Sequence, residues 1–201
     1  MTPTAEIERD LDWREAELAV LRLLITNNEI GEREKFVLFR AAWALLYAHY
    51  EGFCKFALTV YYDAIKVAGK CHGDLPSKMQ ALALDKKVKD LRSLPTIDLI
   101  SKMRSFEVDL MKAPADFPDV NTESNLWPKT LESLIEDADL IVPTLQLYNR
   151  SLATLVSRRN KIAHGERDII PELSYYIGFE NSVLNLMYDL ALSIDEKLGS
   201  I

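Results

Sequence analysis

Residues 32–68 constrain this chain more than any other segment. They hold a helical period and are apolar on most of their circumference, stopping at Gly69-Lys70-Cys71-His72-Gly73. A helix with that pattern must be enclosed by other elements, so a long central helix is expected with the other elements wrapped around it. Ile7, Leu11, Leu18, Leu21 and Ile25 recur at three- and four-residue steps over residues 4–26, and a break follows at Asn27-Asn28 and Gly31. Further helices are expected over residues 77–91, 96–111 and 129–139, the last with Pro128 in its first turn. Another runs from Pro143-Thr144 to a stop at Gly165, and the final one covers residues 172–198. Residues 113–125 form an internal loop that opens on Ala113-Pro114-Ala115-Asp116-Phe117-Pro118, with two prolines and no period. With no internal repeat, no low-complexity tract and no strong strand pattern, the expectation is an all-α bundle, one domain over residues 1–201.

Composition excludes several classes. The chain is 48% hydrophobic with only seven glycines and eight prolines, which favours a folded domain over disorder. Two cysteines, Cys54 and Cys71, cannot build a disulfide framework, and Cys54 lies in an apolar run as a small core residue. The N-terminus, Met1-Thr2-Pro3-Thr4-Ala5-Glu6, lacks the basic and apolar regions of a signal peptide, and no apolar run is long enough to span a bilayer. A cytoplasmic protein without a membrane partner is expected. A formal net charge of -7 argues against a general nucleic-acid coat, while leaving room for a small basic patch inside a cleft.

Such a patch exists. Ser157-Arg158-Arg159-Asn160-Lys161-Ile162-Ala163-His164-Gly165-Glu166 gathers two arginines, an amide, a lysine and a histidine at the end of an amphipathic helix. At about 100° per residue, Leu145, Tyr148, Leu152, Leu155, Val156 and Ala163 share one face, and Arg159 falls near its middle. A lone charge is too costly to bury, so Arg159 must reach water, find an acid or line a wet cavity. Asn160 and His164, four apart, are neighbours, and the amide could hold the imidazole in one tautomer. Arg159 and His164 diverge by roughly 140° around a regular helix. Either Gly165 unwinds the last turn, or a site is built between two copies of the chain. The plain alternative is structural: cations complement a helix C-terminus and Gly165 is an ordinary stop.

A second constellation lies on the central helix, in Leu46-Tyr47-Ala48-His49-Tyr50-Glu51-Gly52-Phe53-Cys54-Lys55. Glu51 and Lys55 are an i,i+4 pair in the favourable order, sharing a polar flank with Arg40. That flank is either a solvated stripe or the place where Glu51 faces Arg159 and neutralises it. Gly52 inside a helix implies close approach of another element. His49, on a different flank, reads as a core or interface histidine, and His72 carries no constellation.

The Tyr47–Phe53 segment on a long helix, with Arg158-Arg159-Asn160-Lys161-Ile162-Ala163-His164-Gly165-Glu166 on a later one, resembles the HEPN superfamily, and more narrowly its MAE-type HEPN-like nucleases. The resemblance covers residues 32–198, with residues 93–125 the part that matches least. It implies a metal-independent endoribonuclease without a cofactor, a toxin or antiviral effector acting on RNA as a homodimer. Arg159 and His164 of both subunits would line the cleft as catalytic residues, with Asn160, Glu51 and Lys55 in support. RNA carries its own nucleophile, the 2′-OH, so His164 could move the protons and Arg159 could stabilise the phosphorane oxygens. The products would be a 2′,3′-cyclic phosphate and a 5′-OH. Arg158 and Lys161 would hold the strand through phosphates, and an antitoxin or other regulatory protein is a possible partner. No acids stand with a histidine at metal-ligand spacing. The competing class is a non-catalytic dimeric adaptor in which the motif is an interface element.

Overall fold

A computed structural model of the chain describes residues 1–27, 29 and 31–200; Asn28, in the expected break, lies outside the described residues. Seven α-helices follow one another: α1 (Pro3–Thr26), α2 (Glu32–Val67), α3 (Ser77–Arg92), α4 (Thr96–Arg104), α5 (Pro128–Asp137), α6 (Pro143–Ala163) and α7 (Leu173–Gly199). Only one isolated β-bridge, Cys71 to Pro114, accompanies them among the described residues. None of these helices is long and apolar enough to cross a membrane. The Thr2 hydroxyl caps α1 by accepting from the Ala5 amide, and Pro3 occupies its first turn, where its missing N–H costs nothing.

The expected central helix is α2. Trp43, Leu46, Tyr47, Tyr50, Phe53, Cys54, Leu58 and Tyr61 along its length are each at most 1% exposed. α1, α6 and α7 all pack on it, and α7 also contacts α1 and α6. Between α2 and α6 the indole of Trp43 donates to the Leu155 carbonyl at 3.0 Å, and its ring meets Tyr175 and Phe179 of α7.

The side of α2 left over by the helices is closed by the long loop. Phe117 stacks on Tyr62 at 4.5 Å, Lys66 pairs with Asp116 at 3.0 Å, and Val120 and Leu126 are buried. The Ala115 amide donates to the Lys70 carbonyl, and the His72 amide to the Ala113 carbonyl. His72, in a short 3₁₀ turn (His72–Asp74), is thereby a clamp at the loop's start. The helix expected over residues 96–111 is broken. Ser105 turns its hydroxyl to Asp109 at 2.6 Å, and the chain passes from α4 into a π turn at Glu107–Met111, as a serine competing for local hydrogen bonds allows. No residue of α4 is buried.

Gly52 makes room on α2 for a side chain of α1. A Cβ there would meet Arg14 Nη1 at 3.0 Å. Arg14 is 8% exposed and is held by Asp10 at 2.7 Å. His49, the neighbour of this pair, has Arg14 on Nδ1 and Glu17 2.9 Å from Nε2, with its ring edge against Trp13. Burial first, and then the Arg14 charge, lower the His49 pKa, with Glu17 and Asp10 opposing.

Two expectations follow. Gly52→Val should force Arg14 out of its slot and lower unfolding stability by about 1–3 kcal/mol in urea titration. A histidine with a depressed folded-state pKa binds protons more readily when unfolded. Its contribution to stability is therefore complete above pH about 6.5 and lost as pH falls below it. Unfolding followed from pH 7.5 to 5 should show a shallower acid loss in His49→Gln than in wild type.

Candidate functional site

α6 carries the motif and is tied down at both ends. At its start the Thr144 amide and hydroxyl both donate to Asp189 of α7, at 3.0 and 2.6 Å. At its end Gly165 takes φ +80°, the Gly165 amide donates to the Ile162 carbonyl and the Glu166 amide to Lys161. These are the paired bonds of a Schellman stop. His164 itself donates from its backbone to the Asn160 carbonyl at 2.9 Å, so the helical pattern persists to the histidine. The last turn does not unwind, and Arg159 and His164 of one chain leave the helix in different directions.

Arg159 is half-buried and held by three neutral groups. Its guanidinium lies 4.2 Å from the centre of the Tyr47 ring, and Nη1 donates to Asn125 Oδ1 at 2.6 Å and to Asn160 Oδ1 at 2.9 Å. Among the described residues it forms no ion pair, so its charge is oriented without being neutralised. Tyr47 in turn accepts the Leu126 amide at 2.9 Å, which fixes the loop residue next to Asn125. Burial chiefly, reinforced by the Glu51 carboxylate, pushes the Tyr47 pKa up to about 12. The phenol therefore stays neutral as an acceptor under ordinary conditions.

Several expectations for side chains change. Among the described residues Glu51 forms no ion pair with Arg159: its charge is felt by Tyr47, one turn away on its own helix, and Arg159 is met instead by Asn125. Nor do Glu51 and Lys55 form an ion pair among the described residues; Lys55 is exposed and only its carbonyl is engaged, by Thr59. Asn160 turns its amide oxygen to Arg159 rather than to the His164 ring. Ala163, placed on the apolar face, is exposed.

Arg158 differs most from its expected role. It stacks against Tyr175 and Trp43 at 5.1 and 5.5 Å, donates to the Ile169 carbonyl at 3.1 Å and lies 3.7 Å from Asp168. It is thus a strut between α6 and the segment leading to α7. Lys161 and His164, by contrast, are exposed, and neither side chain has a hydrogen bond among the described residues. Arg40, which donates to the Glu166 carbonyl at 2.6 Å, and Arg167, over the Phe36 ring, add positive charge at this end of the bundle.

Sequence reasoning missed Asn125 and the use of Tyr47. Tyr47 stood within the quoted helix segment, but a buried tyrosine is usually core. Asn125 lies in the loop that matched least, where no periodicity carries information.

Among known families, residues 3–200 match the family model described as HEPN_MAE_28990:/-like HEPN. Searches of curated proteins and of solved structures return no match.

The Tyr47 hydroxyl is the only acceptor found for the buried Leu126 amide among the described residues. Tyr47→Phe should therefore cost about 1–3 kcal/mol in chemical unfolding while keeping the ring under Arg159. Hydrogen exchange at residues 121–127 should accelerate in the same variant.

Proposed function

The chain belongs to the HEPN_MAE_28990-like HEPN family, whose members point to RNA-related, nuclease-type function, and from that premise we propose that it is a metal-independent endoribonuclease. The observation that carries the reading is the state of Arg159. It is a half-buried cation positioned by a ring face and two amide oxygens, with no ion-pair partner among the described residues. A charge kept in that condition is suited to an anion that arrives from outside.

In the proposed reaction the 2′-OH of a ribose attacks the adjacent phosphate. Arg159 donates to the non-bridging oxygens as negative charge grows on them. His164 takes the 2′-OH proton or protonates the departing 5′ oxygen, leaving a 2′,3′-cyclic phosphate and a 5′-OH. One chain turns Arg159 and His164 apart, so two chains, each lending its motif to a shared cleft, supply what one does not. Asn160 supports Arg159 directly, and Glu51 acts only through Tyr47. Lys161 is the phosphate contact, and Arg158 stabilises the loop beneath. A toxin or antiviral effector, acting in the cytoplasm and restrained by an antitoxin or regulatory protein, is the biological setting proposed for such an activity.

The adaptor reading requires the motif to hold an interface or the fold together. Arg158 does hold the fold together, but His164 is exposed and bonded only through its backbone, so the single-chain fold has no need of its imidazole.

Purified protein incubated with total RNA in EDTA should give discrete fragments ending in cyclic phosphate. His164→Ala should lower the rate on the order of 10²–10⁴-fold, and Arg159→Ala should also abolish detectable cleavage. His164→Ala should change unfolding stability by no more than about 1 kcal/mol. An inactive wild type together with a His164→Ala protein that unfolds or falls apart into monomers would instead favour the adaptor.

A further inference from the structure

We propose that the open groove between the 121–130 segment and α6 is a nucleobase subsite, which seats an unpaired base of the RNA strand close to the scissile phosphate. The inference rests on the nuclease reading and extends it to substrate recognition. The groove has a volume of about 780 Å³ and is lined by Asn121, Glu123, Trp127, Lys129 and Thr130 on one side and by Asn149 and Ala153 of α6 on the other. Trp127 is 39% exposed, although it directly follows the fully buried Leu126. A partly exposed indole lining an open groove of mixed polar and apolar character offers a stacking face for any base.

The polar groups suit a base edge better than a phosphate. Among the described residues that line the groove Lys129 is the one cation, and the Glu123 carboxylate disfavours a second anion. That carboxylate is fixed by the Thr130 hydroxyl at 3.2 Å, and Glu123 is held at φ 56° with its amide donating to Asn121 Oδ1 at 2.9 Å. Asn121 keeps its NH₂ group, and the exposed Asn149 offers both amide functions. Together they can meet the donors and acceptors of a Watson–Crick edge, as proteins reading single-stranded RNA do.

Continuity with Arg159 gives the groove its place on the strand. The Trp127 amide donates to the Asn125 carbonyl at 2.9 Å, and the Asn125 side chain accepts from Arg159. Along α6, Asn149, Ala153 and Asn160 lie on one stripe, with Ala153 about 10 Å from Asn160 by helical rise. A strand whose phosphate rests on Arg159 therefore carries a nearby base into the groove. Asn125, which orients the cation, stands between Glu123 and Trp127, which line the groove, so position and recognition are coupled through this stretch of loop.

The test is binding of a single-stranded, fully 2′-O-methylated RNA decamer, which lacks the attacking hydroxyl, measured by fluorescence anisotropy. Trp127→Ala should weaken binding on the order of tenfold, Trp127→Phe should recover most of the loss, and Asn149→Ala should weaken binding with the fold intact. The salt dependence should be unchanged in all three, because no phosphate contact is removed. Wild-type affinity in both Trp127→Ala and Asn149→Ala would overturn the subsite. If cleavage of total RNA then still required Arg159, only the subsite would fall. A wild type that neither binds the decamer nor cleaves RNA would sink the nuclease reading and the subsite with it. Trp127-dependent binding without cleavage would uphold the subsite and refute catalysis.

Discussion

Enclosing α2 is the constraint on which the rest of the molecule depends. Five of its aromatic side chains, Trp43, Tyr47, Tyr50, Phe53 and Tyr61, are essentially fully buried and fan over about a third of its circumference. Three helices cover part of that circumference. The remaining side is covered by an extended loop, which spends Phe117, Val120 and Leu126 on it. A loop pressed onto a core brings its backbone polar groups with it, and these need partners. The Leu126 amide finds one in the Tyr47 hydroxyl, and the register this sets carries Asn125 to Arg159. The polar site is thus a consequence of closing the apolar core.

Neighbouring arginines on α6 show how local electrostatics divides labour. Arg158 and Arg159 point about 100° apart. One meets Asp168, a carbonyl and two aromatic faces; the other meets only a ring face and two amide oxygens. Dipoles and a quadrupole orient a cation without cancelling it. On the proposed reading, an anion would relieve the part of its desolvation cost that these neutral groups leave. A net charge of -7 makes this local arrangement more consequential, since positive charge has to be gathered locally, as it is at the end of α6 with Arg40, Lys161 and Arg167.

Helix positions were legible in the sequence because burial periodicity is a local property: the places of α1, α2, α6 and α7 follow from apolar spacing, Pro143 and Gly165. The break at Ser105 was not, since it depends on which hydrogen bond one hydroxyl selects. Arg159 and its neighbours were legible as chemistry in the wrong environment, an arginine on an apolar face. Its partners were not. Glu51 was the natural choice by charge, yet tertiary placement gave that position to Asn125, from a loop without periodicity. Gly52 was read as a point of close approach, and the group that approaches is the Arg14 guanidinium.

The Schellman stop at Gly165 bears on how a reaction could be assembled. It keeps the peptide of His164 in register with α6, so the imidazole position is set by the helix and not by a flexible loop. Rigid placement favours catalysis only if the reacting phosphate can reach the histidine and Arg159 together. Within one chain the two diverge, and straightening that divergence would require breaking the Gly165 and Glu166 amide bonds to α6. Bringing a second, equally rigid helix end alongside costs none of those bonds. On the proposed reading, pairing of two chains is therefore the less costly way to satisfy both the helix and the chemistry. The neutral cradle of Tyr47, Asn125 and Asn160 would then keep each Arg159 in place before its partner arrives.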